Sequence, residues 1–154
     1  MATFYSDLAT YQASSDPTTR NSFPAIQNMP EKLLDVSYTL AGTEVANDVI
    51  DLALLPKGAR IIAERIGIYC ADPGTTLTLD IGDDDDSTAA DDNRYVAALD
   101  VKAGGFFQGG SAPGVAVATR YTTGKSCWLQ AKVNAAATLT ASVVIRITIP
   151  YVTL

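Results

Sequence analysis

The residues of this 154-residue chain that could do chemistry gather in one stretch, I-G-D-D-D-D-S-T-A-A-D-D-N, where Asp83, Asp84, Asp85 and Asp86 run together and Asp91 and Asp92 follow. Clustered carboxylates can work as acid and base, hold a hard cation, or stand in water. Glycoside hydrolysis needs two carboxyl groups facing each other across the scissile bond, and these six share one loop. Calcium takes several carboxylate and carbonyl oxygens, yet the EF-hand pattern of Gly at the sixth place and Glu at the twelfth is missing. The run therefore reads first as a solvated loop held open by mutual repulsion. A cation site built from the same six aspartates is the second reading.

Nothing else in the chain offers catalysis. There is no histidine, which removes Ser-His-Asp, Cys-His and His-metal chemistry. No S-x-x-K motif supplies a serine nucleophile with its lysine, and Lys125-Ser126 belongs to a turn signal. Cys70 and Cys127, the two cysteines, each sit in a strand pattern and read as free core thiols. A-G-G-F-F-Q-G-G-S-A-P-G is rich in glycine but lacks phosphate-loop spacing. The expectation is a protein that is not an enzyme and carries no cofactor.

Aromatic residues point to contact instead. Trp128, Tyr121, Phe106 and Phe107 could form a sugar platform, though Trp128 sits in a strand pattern and reads as core. Phe106 and Phe107 are adjacent between glycine pairs, in what reads as a strand-free loop. Both cannot easily turn inward, so at least one is expected to anchor an interface.

Length and composition bound the rest. A chain of 154 residues fits one domain. The net charge of -6, with 11 scattered basic residues, argues against a nucleic-acid partner, which needs clustered Lys and Arg. No apolar run approaches the roughly 20 residues that cross a bilayer, and the first residues lack the flanks of a secretion signal. Synthesis in the cytoplasm is expected.

Two regions differ in pattern. Residues 1–33 read as an extended N-terminal arm, interrupted by Pro17, Pro24 and Pro30. Phe4, Tyr5, Tyr11 and Phe23 give it more large apolar groups than a solvated tail carries, which suits an arm lying on its own domain or on a neighbouring subunit. A short helix over Ser6 to Ser14 is a further reading of this segment. Residues 34–154 read as the folded domain. L-D-V-S-Y-T-L puts Leu34, Val36, Tyr38 and Leu40 on one face, and T-L-T-L-D-I-G does the same for Leu77, Leu79 and Ile81.

Val49 to Leu55 is a strand that ends at a Pro56-Lys57-Gly58 turn, with Gly58 in the left-handed position. Arg60 to Cys70 reads as one continuous strand, with Glu64 an exception on its apolar face. D-P-G-T is another turn, and R-Y-V-A-A-L-D-V a strand after the acidic loop. V-A-V-A-T-R-Y and S-C-W-L-Q-A-K-V read as a hairpin. T-L-T-A-S-V-V-I-R-I-T-I-P-Y-V reads as one final strand, its Pro150 suggesting an edge. About eight strands, with no helix for a parallel crossover, predict an all-β antiparallel sandwich, jelly-roll-like.

The stretch L-L-P-K-G-A-R-I-I-A-E-R-I-G-I-Y, followed by T-L-T-L-D-I-G-D-D-D-D and D-D-N-R-Y, resembles a segment of small structural proteins of tailed bacteriophages. The resemblance is carried by Leu55, Pro56, Gly58 and Ala59, by Leu77 to Asp83, and by Asn93, Arg94 and Tyr95. It spans roughly residues 40 to 120 and looks like that of head decoration, or cement, proteins built on a jelly roll. The resemblance implies a virion protein on the capsid surface that binds the major capsid protein and itself, with a trimer as the expected oligomer. A fibre base or tail component fits the same pattern. The rival class is a carbohydrate- or receptor-binding sandwich that uses the acidic loop for calcium.

Overall fold

A computed structural model describes residues 3–5, 31–85, 91–108 and 121–153. Among them lie ten strands: β1 (Thr3–Tyr5), β2 (Lys32–Thr39), β3 (Val49–Leu55), β4 (Ala59–Ile61), β5 (Gly67–Cys70), β6 (Gly74–Asp83), β7 (Asp91–Asp100), β8 (Gly105–Gln108), β9 (Cys127–Leu139) and β10 (Val144–Thr153). One 3-10 turn spans Ala63–Arg65. The strands form two five-membered groups, β1-β3-β9-β6-β7 and β2-β10-β5-β8 with β4 also on β10. All pairings are antiparallel except β1 on β3.

The two sheets face each other and bury their inner sides as one apolar cluster from Val36 to Ile149. Without the three-residue strands β1 and β4, one sheet runs first, eighth, third and sixth in chain order, and the other second, seventh, fourth and fifth. Successive strands thus change sheets except for the β6–β7 hairpin, which is a jelly-roll-like winding.

Alternation builds most of the core. Val36, Tyr38 and Leu40 turn inward from β2 and its end, and Leu77, Leu79 and Ile81 from β6. In β3 the alternation slips at Leu52, where the register against β9 jumps between Asp51 and Ala53. This bulge sets Ile50 and Leu52, then Ala53 and Leu55, into the core and leaves Leu54 outside. Gly58 takes the left-handed φ of 83° expected at its turn, and Ala59 N closes that turn on Pro56 O at 3.2 Å.

Four expectations are corrected. Arg60 to Cys70 is not one strand: the 3-10 turn splits it, so Ile61, Ala63, Ile66, Ile68 and Cys70 are buried while Glu64 points to water. The charged exception marks a strand end. The final stretch is likewise two strands, because β9 runs to Leu139 and a turn leads into β10 in the opposite sheet. Pro150 lies on a central strand, where β5 pairing has ended at Thr148 and β4 pairing begins at Tyr151. In that gap its missing N–H goes unneeded, and its carbonyl accepts Ile62 N at 2.9 Å.

Trp128 is not core. It alternates with buried Cys127 and Leu129 and lies half-buried on the outer face opposite Leu54. Both cysteines are free and buried.

β2 begins at Lys32, and Thr3–Tyr5 adds a parallel edge strand to β3. Residues 6–30 lie outside the described residues, so the short helix expected there, Tyr11 and Phe23 do too. The first strand of the hairpin expected at V-A-V-A-T-R-Y likewise falls mostly outside them.

Candidate interface and the root of the acidic loop

Side chains on the outer face of the β2-β10-β5-β8 sheet stand in rows set by register. Ser37, Arg146, Tyr69 and Phe106 oppose one another across the four strands, and Asp35, Thr148, Gly67 and Gln108 form the next row. Phe106 is 68% exposed and Tyr69 53%. In the next row Gly67 is a floor without a side chain, since a Cβ there would come within 2.6 Å of Thr148 Oγ1 and 3.2 Å of Phe106 Cε2. The ring of Phe106 therefore lies down on the sheet. Gly67, Tyr69, Phe106, Arg146 and Thr148 line a shallow pocket. Arg146 Nε donates to Asp35 Oδ1 at 2.8 Å, and its terminal nitrogen donates to the other carboxylate oxygen.

Phe106 and Phe107 occupy strand β8, not the strand-free loop expected of the glycine-flanked stretch. Strand alternation separates them: Phe107 turns in and packs against the core while Phe106 stands outside. The arrangement offers two aromatic faces beside a guanidinium already engaged by a carboxylate, which suits burial against another apolar surface. Phe4 and Tyr5 lie in β1, of which the backbone alone is described.

The acidic stretch is different in kind from a solvated loop at its start. Leu77, Leu79, Ile81 and Asp83 share one face of β6, so the strand period carries Asp83 inward, to 0% exposure. Tyr95 Oη donates to Asp83 Oδ2 at 2.5 Å, Arg94 Nε lies 3.1 Å from the same oxygen, and Asp85 N donates to Oδ1 at 3.0 Å. Asp85, 8% exposed, accepts Tyr121 Oη at 2.5 Å, Gly124 N at 2.6 Å and Lys125 N at 3.0 Å. Asp84 Oδ1 accepts Trp128 N at 2.6 Å. The Arg94 guanidinium sits 3.6 Å from the centre of the Tyr121 ring.

These contacts set protonation. Burial would raise the Asp85 carboxyl, but the Tyr121 hydroxyl and the N–H groups of Gly124 and Lys125 outweigh it and hold it below the ordinary aspartate value. The bond to Asp85 and partial burial push Tyr121 up to about 12. Burial, then Asp83, pushes Tyr95 far upward. Both phenols stay protonated donors. Burial lifts Cys70 to about 11 and Cys127 to about 12, so neither thiol is a nucleophile at neutral pH.

Asp86 lies outside the described residues, and Asp91 and Asp92 are described by backbone alone, at the start of β7. Among the described residues no group of three or more His, Cys, Asp or Glu is placed to hold a metal ion, and no helix is long and apolar enough to cross a membrane.

The sequence reading missed Glu44, which is buried in the loop after β2. It accepts Tyr38 Oη at 2.7 Å and Ala41 N at 2.6 Å on one oxygen, and Gly42 N at 2.9 Å on the other. A carboxylate two residues after Gly42 in a tight loop is the local signal for such a clamp.

These features define a class: a double-sheet antiparallel sandwich with polar clamps at its loops and an aromatic face on one sheet. Solved structures share that fold. A chain from the capsid of Ralstonia phage GP4 is 23% identical, aligned over 99% of this chain and 99% of that one, with a TM-score of 0.71. A chain of the cyanophage Pam1 capsid asymmetric unit is 22% identical over 80% of this chain and 85% of that one, TM-score 0.54. One from the acidic stable capsid structure of Helicobacter pylori bacteriophage KHP30 is 18% identical over 80% and 88%, TM-score 0.51. No protein-family model matches the sequence, and no curated protein does.

Proposed function

We propose that this chain is a non-catalytic structural protein of a phage virion, a decoration or cement protein that sits on the head surface and stiffens the shell. The observation that carries the reading is the likeness of fold over 99% of both chains to a chain of a phage capsid. The exposed pair Tyr69 and Phe106 supplies a contact surface consistent with it. The protein is made in the host cytoplasm and binds the major capsid protein and itself, as a trimer that matches three-fold positions of a shell. Phe106 and the arm residues Phe4, Tyr5, Tyr11 and Phe23 anchor these contacts, and repetition over the lattice multiplies weak single contacts into stable attachment. No cofactor takes part.

The test is the protein content of purified virions, with heads and tails separated, together with sedimentation of the purified protein with expanded and with immature shells. Presence in heads and binding to expanded shells is the expected result. Absence from heads with no binding to either shell overturns the reading.

A further inference from the structure

The root of the acidic loop ties two distant parts of the chain together. Asp85 closes the described part of the loop after β6, and the segment that begins at Tyr121 leads into β9. Three donors from residues 121, 124 and 125 converge on the Asp85 carboxylate at 2.5, 2.6 and 3.0 Å. None of the three belongs to a sheet ladder. On the other side, Asp83 holds Arg94 and Tyr95 of β7, and Arg94 covers the Tyr121 ring.

We propose that Asp85 is a carboxylate latch: it fixes the segment 121–125 to the end of β6 and can open locally while the sandwich stays folded. The separation of parts supports this. The core cluster from Val36 to Ile149 includes no residue of 121–126. Elsewhere that segment is bound mainly through Thr123, whose N–H and carbonyl pair with Ala59 and Gly58 and whose hydroxyl donates to Pro56 O at 2.8 Å, with Thr122 Oγ1 accepting Arg60 Nε at 3.4 Å and the Tyr121 ring under Arg94. Opening at Asp85 thus releases the Tyr121 hydroxyl and the Gly124 and Lys125 amides around a fixed Thr123, while the Tyr121 ring keeps its contact with Arg94. Segments held by a few polar bonds at the surface open far more often than core strands do.

The charged and titratable groups facing the latch are Asp83 and Asp84 beside it, Arg94 and Tyr95 from β7, Tyr121 and Lys125 from the captured segment, and Cys127 from β9. A carboxylate held below its ordinary value favours the closed form above the unfolded value of about 3.8 and loses that preference as pH falls through the folded value. The latch is therefore shut at neutral pH and opens in strong acid.

Amide hydrogen exchange, read as protection factors residue by residue, tests this. Asp85→Asn should cut protection at Gly124 and Lys125 by about ten- to a hundredfold, the range for bonds to a charged acceptor, with Leu79, Ala131 and Ile147 unchanged. Tyr121→Phe, which keeps the carboxylate, should give a smaller loss at the same two amides. In the unmodified protein, an acid titration followed by the amide shifts of Gly124 and Lys125 should show a midpoint below about 3.8. Unchanged protection at both amides in Asp85→Asn overturns the proposal. So does equal loss at the core amides, in the variant or in the acid titration, because opening would then be global unfolding.

Discussion

At the residue scale the informative carboxylates are buried ones. Asp83 and Glu44 are each surrounded by donors from their own chain, and a charged group without water is tolerable on that condition alone. Asp83 spends one oxygen on Tyr95 and Arg94 and the other on the backbone of Asp85. With those oxygens engaged, the thermal midpoint should be the same in calcium as in chelator; a rise in calcium of several degrees would show a cation site after all. Glu44 gives a sharper case. Burial would raise its carboxyl, but Tyr38 Oη and the N–H groups of Ala41 and Gly42 hold it below 4.5. Glu44→Gln keeps the shape and loses the charge, so it should cost about 1 to 3 kcal/mol at neutral pH by chemical denaturation. The stabilisation is present above the unfolded value of about 4.5 and fades as pH falls through the folded one. The gap between wild type and variant should therefore shrink below pH 4.5, and a constant gap would mean the charge plays no part.

At the element scale, β8 separates two adjacent phenylalanines by a single step of alternation. Phe106→Ser should leave stability within about 0.5 kcal/mol, since the residue is 68% exposed. Phe107→Ser removes a ring packed against the core and should cost about 2 to 4 kcal/mol by the same measurement. Equal costs would contradict the assigned faces. Gly74 opens β6 with φ at 121°, and a Cβ there would run into the carbonyl of Thr138. Gly74→Ala should cost about 2 kcal/mol or more, from backbone strain and the clash together. Such positions also mark what sequence reading reaches. Where one face is apolar and the strand unbroken, as in β2 and β6, period two was enough to place Val36, Tyr38, Leu77, Leu79 and Ile81. The same period, carried one step further, would have turned Asp83 inward. The bulge at Leu52, the turn at Ala63 and the partners of Asp85 were not legible, because each depends on strands or donors far along the chain: Gly124 is 39 residues from the carboxylate it binds.

At the scale of the whole molecule, the core cluster of the described residues runs from Val36 to Ile149, so strands β2 to β10 bury a continuous apolar interior among themselves. What the N-terminal segment is seen to add is the short parallel pairing of Thr3–Tyr5 with Val49, Ile50 and Asp51. Deleting residues 1–30 is cleaner than cutting at 33, because β2 already starts at Lys32. The shortened protein should keep its β-type circular dichroism and unfold in one cooperative step, while its binding to expanded shells falls at least about tenfold if the arm anchors attachment. Binding as tight as that of the full chain would remove the arm from the proposed function and leave the face around Phe106 to carry it. Salt separates the physical terms. A chain with net charge -6, whose 11 basic residues are dispersed along the sequence, is poorly matched to an anionic surface. Attachment through apolar anchors should therefore persist or strengthen as salt rises, because screening weakens exposed charge pairs while burial of apolar groups does not depend on them. Shell binding that collapses between about 0.1 and 1 M salt, where the screening length falls from roughly 10 to 3 Å, would make the contact electrostatic and shift attention from Tyr69 and Phe106 to the acidic loop.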